Sequence, residues 1–76
     1  MQTATITGAD GAPLTVTIDP NRRPAGLDLV LIDYPTGPQL VQLGRGTRGE
    51  PLADVDLETG WFAGDHIRGV VVAVES

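Results

Sequence analysis

Leu27-Asp28-Leu29-Val30-Leu31-Ile32 and Val70-Val71-Val72-Ala73-Val74 are strand-length runs that are apolar on both sides. A strand with one wet face alternates apolar and polar residues, and these two do not. Both faces of each are therefore expected to be covered. A chain of 76 residues has little material with which to cover them. The expectation is that another copy, or another protein, buries part of this surface.

Size and composition point the same way. The length fits one small domain spanning residues 1–76. A domain near this size buries only about 60% of the surface its unfolded chain exposes. Disulfides or a structural metal often support such domains, but there is no cysteine and His66 is the single histidine. No cofactor and no metal site are expected. Good packing or oligomerisation remains.

The net charge is −5 and all five cations are arginines. An acidic chain is repelled by phosphate backbones, so broad nucleic-acid binding is disfavoured. No apolar run approaches the ~20 residues needed to span a membrane. The N-terminus lacks a basic stretch followed by an apolar one, so no signal peptide is expected. The expected location is the cytoplasm, or the interior of a phage particle.

Working outward from the two apolar runs, the remaining chain reads as short strands. Gln2 to Thr7 and Leu14 to Asp19 alternate, with Ile6, Leu14, Val16 and Ile18 opposite a series of threonines. β-Branched residues at period two mark strands. Gly8 to Pro13, which contains Asp10-Gly11, makes them a hairpin. Pro20 to Gly26 is a loop, Pro35-Thr36-Gly37-Pro38 a turn, and Gln39 to Leu43 another strand. Glu50 to Glu58 fits a strand better than a helix, with Ala53, Val55 and Leu57 inward and Asp54, Asp56 and Glu58 outward. Thr59-Gly60 turns the chain into Trp61-Phe62, and Ala63 to His66 turns it into a last strand, Ile67 to Glu75. The expected fold is all-β: a small barrel, SH3-like or similar, or a compact sandwich of about five to six mostly antiparallel strands.

Few residues carry chemistry. Gly44-Arg45-Gly46-Thr47-Arg48-Gly49 has the spacing of a dinucleotide-binding loop. Such a loop opens a helix inside a βαβ unit, whereas Glu50-Pro51 follows here. A hairpin loop is the better reading. Arg22 and Arg23 share one loop, and Arg45 and Arg48 another. Should these loops meet, they form a basic patch suited to phosphate or carboxylate. The alternatives are plain solvated charge and a complement to Asp54, Asp56 and Glu58 on a neighbouring copy. Asp54, Asp56 and Glu58 read as a solvated strand face rather than a calcium or magnesium site.

Asp65-His66 has no nucleophile beside it, since Ser76 is the single serine and neither cysteine nor lysine is present. No enzyme is expected. Trp61 and Phe62, as strand neighbours, point to opposite faces, one into the core and one toward an interface. Gly64-Asp65-His66-Ile67 resembles turns of SH3-like and related small barrels. That likeness of four residues implies a fold of this kind and no function.

The functional expectation is a non-enzymatic interaction or assembly module, such as a phage or particle structural component. Its partner is itself, as a homo-oligomer, or another protein. The interface expected from the apolar surplus comprises Val30, Ile32, Tyr34, Trp61, Val70, Val72 and Val74, with arginine loops at its rim. Two alternatives stand beside it. One is an acidic inhibitor or immunity-type protein that binds a basic partner. The other is a barrel that binds nucleic acid or another anion through Arg22, Arg23, Arg45 and Arg48.

Overall fold

The run that decides the fold is a strand buried on both faces. In the computed structural model, which describes residues 1–75, it forms β3 (Leu29–Tyr34). Successive strand residues point to opposite sides, yet Val30, Leu31 and Ile32 all have 0% exposure. The cover on both faces is the chain itself. The expectation that another molecule buries Val30, Ile32 and Val70 is therefore corrected, because all three lie in the protein's own core.

The other strands are β1 (Gln2–Thr7), β2 (Pro13–Asp19), β4 (Gly37–Gln42), β5 (Gly44–Arg45), β6 (Pro51–Leu52) and β7 (Ile67–Glu75). Five of them form one sheet in the order β1-β2-β7-β3-β4, and β5 and β6 form a separate ribbon. Every strand pairing among the described residues is antiparallel. The five-stranded sheet stays open, since β1 and β4 are its edges. The result is a compact all-β domain consistent with a small sandwich.

The strongly alternating segments fold as they read. Thr3 faces Thr17 and Thr5 faces Thr15 across the first hairpin, where threonine pairs support each other. Its turn is closed by Gly8 N–H to Ala12 O at 2.7 Å and by Ala12 N–H to the Asp10 carboxylate at 3.0 Å. β3 and β4 are joined by Pro35-Thr36, with Tyr34 opposite Gly37.

Two core clusters lie on the two faces. Val30, Ile32 and Val70 pack with Leu43 and Ala63, flanked by Tyr34, Val41, Ala53, Trp61 and Ile67. Residues 43–66 thus cover that face. On the other, Leu31 packs with Ile6, Val16 and Ile18, flanked by Leu14, Leu40 and Val71. A flat sheet would hold its edges β1 and β4 about 19 Å apart, four strand spacings. Instead Ile6 of β1 and Leu40 of β4 share a cluster, and Thr5 to Thr7 face Pro38 to Leu40 across one cavity of about 730 Å³. The sheet therefore coils until its two hairpins meet.

The cause of the coiling lies in β7. Its register shifts against β2, between Thr17 and Ile18, and against β3, between Leu31 and Ile32. Val72 and Arg68 are the extra residues. Bulges raise local twist, and two on the central strand bend the sheet on both sides. They also explain the unbroken Val70 to Val74 run. Val70 enters one cluster and Val71 borders the other, while Val72 and Val74 remain 41% and 45% exposed. Arg68 is held by a forked ion pair to Asp33, whose second contact, Nε to Oδ2, is 3.2 Å.

Glu50 to Glu58 departs from its expected strand. Pro51–Leu52 is the extended part. Val55 and Leu57 do not face inward; both are exposed, Leu57 at 90%. The Asp56 carboxylate accepts the N–H groups of Glu58 and Thr59 at 2.9 and 3.4 Å. That side-chain turn competes with strand pairing and wins.

The core placement predicts unequal costs. Leu31→Ala is expected to lose about 2–5 kcal/mol of unfolding free energy, and Val72→Ala about 1 kcal/mol or less. Urea denaturation of the two variants measures this. Equal losses at both positions would contradict the assignment.

Candidate functional site

The same 43–66 segment that covers β3 builds a cleft at the far end of that strand. It returns to the core at Leu43, Ala53 and Ala63. Between Ala53 and Ala63 it makes a tight excursion. A bridge joins Val55 to Phe62. Asp56 N–H donates to Trp61 O and Gly60 N–H to Asp56 O, at 2.8 and 2.7 Å. Gly60 has φ 75°, the left-handed geometry that glycine adopts without a Cβ clash. A 3₁₀ helix, Ala63–His66, then leads into β7.

This path brings together all the aromatic residues of the chain and its one histidine. Trp61 sits between two neighbours. Its ring lies 5.1 Å from Tyr34, tilted by 36°, and 4.9 Å from His66, nearly parallel at 10°. The Phe62 ring lies over Gly64, where an added Cβ would come within 2.5 Å of it. The cleft that these rings border has a volume of about 780 Å³. Asp54, Asp56 and Asp65 line it, and no arginine does.

One of these carboxylates acts on Tyr34. The Tyr34 hydroxyl is held above its ordinary value of 10.0, first by burial and then by the negative charge of Asp54. Asp54 and Asp56 do not share a strand face with Glu58 as the alternation suggested, because the Asp56 turn breaks it. Among the described residues no three histidine, aspartate or glutamate side chains are placed to hold a metal ion. Aromatic walls with a carboxylate rim suit an organic cation instead. Guanidinium and ammonium groups are attracted by ring faces and hydrogen-bond to carboxylates.

Of the residues expected at an interface, Tyr34 and Trp61 line this cleft. Val72 and Val74 lie exposed on the last half of β7. Sequence reasoning did not join Asp54, Phe62, Asp65 and His66 to Tyr34. One signal was present: every aromatic residue falls either at position 34 or within 61–62, each beside a turn.

The arginine loops do converge. Gly26 N–H donates to Gly49 O at 3.1 Å. The Arg45 side chain lies so close to Gly26 that a Cβ there would be 2.6 Å from Arg45 Cγ. The loop carrying Arg22 and Arg23 therefore touches the β5–β6 hairpin carrying Arg45 and Arg48. None of the four makes an ion pair among the described residues. The G-x-G-x-x-G stretch is this hairpin, as expected; Gly46 N–H donates to Glu50 O at 2.8 Å.

Compared with protein-family models, curated proteins and solved structures, the chain matches none. Among the described residues, no helix is long and apolar enough to cross a membrane.

Tyr34 is the single tyrosine, so its titration can be followed by phenolate absorbance. The fold favours the protonated phenol. That contribution is present below the unfolded-state value of 10.0 and is lost as pH rises through the higher folded value. The midpoint is expected above 10.0. Asp54→Asn should lower it while leaving it above that value, because burial is the larger cause. An unchanged midpoint in the variant would remove Asp54 from the neighbourhood of the hydroxyl.

Proposed function

We propose that this protein is a non-enzymatic interaction module, and that its cleft docks a cationic side chain of a protein partner. One observation carries the reading: all the aromatic residues, the histidine and three carboxylates meet at one cleft that no arginine lines. Aromatic residues are the usual anchors of protein interfaces. Arginine is the guest with the best fit, since its planar guanidinium both stacks on rings and forks onto carboxylates.

Further features support docking over catalysis. His66 lies flat on Trp61, an arrangement that uses the imidazole as a wall. Pro35 and Thr36 add a rigid, uncharged edge. Both an assembly component of a larger particle and an acidic inhibitor of a basic partner are forms of this reading. Each needs a negative, partly apolar contact surface.

Trp61 is the single tryptophan, so its emission reports on the cleft. A tetra-arginine peptide is expected to change that emission saturably, and added salt to weaken the effect. The double variant Asp54→Asn/Asp65→Asn should lose about tenfold in affinity, near 1.4 kcal/mol. An identical response in the double variant, or no response at millimolar peptide, overturns the reading.

A further inference from the structure

We propose that the guest of the cleft is the arginine end of a second copy of this chain, giving a head-to-tail contact. The inference rests on the cleft reading above and adds the partner. Its basis is where the fold puts opposite charges.

The arginine loops and the cleft sit at opposite ends of β3. Leu27 N–H donates to Leu43 O at 3.1 Å just before the strand starts, and the touching loops lie there. Tyr34, which ends the strand, lines the cleft. Six strand residues separate the two ends by about 17 Å. One molecule therefore cannot bring its own arginines to its own cleft, whereas two copies in line can. The fifth arginine takes no part, being held by Asp33 on the sheet.

Both ends also carry exposed apolar residues. Leu27 and Leu52 are each about half exposed beside the arginine loops, and Phe62, which lines the cleft, is exposed as well. Leu27 has φ 70°, a left-handed conformation that disfavours a leucine. The fold thus holds a strained leucine half in water, next to the arginines. Strain of this kind gathers at contact sites. Apolar contact would supply affinity and the charges orientation.

Net charge sharpens the orientation. Two copies at −5 each repel on average. The end-to-end arrangement sets arginines against carboxylates. Such a contact uses two different patches of the surface, so it extends into a ring or a filament and does not stop at a symmetric pair.

Two variants test this, each checked for folding by circular dichroism. Arg45→Gln/Arg48→Gln blunts the arginine end, and Asp54→Asn/Asp65→Asn blunts the cleft. Solution mass is followed by light scattering from micromolar to millimolar protein. Wild type is expected to grow beyond its 8.0 kDa as concentration rises. Each variant alone should associate at least about tenfold more weakly. An equimolar mixture should form a dimer and stop there, since one sound cleft and one sound arginine end remain. If wild type stays monomeric while Trp61 still answers tetra-arginine, the self-partner proposal fails and the cleft reading stands. If neither occurs, both fail. Association that both variants retain in full overturns the proposal and points to Val72 and Val74. A monomer whose arginine end binds an oligonucleotide overturns it in favour of an anion site.

Discussion

The structure depends on β7 being bent twice. As the central strand, it pairs with β2 on one side and β3 on the other, and its register slips against both. Without those bulges, an open five-stranded sheet would present one long apolar face to water. With them, the β1–β2 hairpin swings over Leu31 and Leu40 and closes the second core cluster. Full burial of a Val, Leu or Ile side chain stabilises by roughly 1.5–3 kcal/mol. Six of the largest such residues reach full burial here. In a domain this small, that packing is the main resource against the entropy of ordering the chain.

The first face is closed by a different device. Leu43, Ala53 and Ala63 enter the core ten residues apart. Each interval between them is an excursion that leaves the core and comes back. The first is the β5–β6 hairpin with two arginines. The second carries Asp54, Asp56 and the cleft wall. The cover over β3 thus also carries Arg45 and Arg48 at one end and the cleft aspartates at the other, and its spacing sets where those charges go. Loops held by a fixed scaffold are the usual place for recognition.

Much of this architecture was legible in the residues. Period-two alternation at Gln2 to Thr7 and Leu14 to Asp19 marks strands, since half-buried strands require it. Double-sided burial of Val30, Leu31 and Ile32 was legible too, because alternation was missing. What covers those faces was not. Two bulges leave no local mark in Ile67 to Glu75, where valine follows valine, so the coil that hides Leu31 could not be foreseen. Read from the sequence alone, Val30, Ile32 and Val70 therefore belong to an interface, whereas in the fold they are core. The 53–62 excursion misled for a related reason: Asp56 makes an ordinary strand alternation on paper, but its carboxylate captures two backbone N–H groups. Convergence of Gly26 on Gly49 depends on close backbone approach, and residue patterns do not encode that.

Separation of core and charge has a further consequence. None of the four unpaired arginines, and none of the cleft's aspartates, is buried. Among the described residues the buried set is apolar throughout. Apart from Asp56, whose carboxylate holds the turn of the 53–62 excursion, charges at either end can therefore change with little effect on the packing that defines the fold. Leu27 is the exception that links the two. Its left-handed backbone costs stability, and its half-exposed side chain recovers little by burial. A glycine would fit that backbone without strain. A leucine at this position makes physical sense where its side chain gains contact, and the end-to-end association proposed above would supply one.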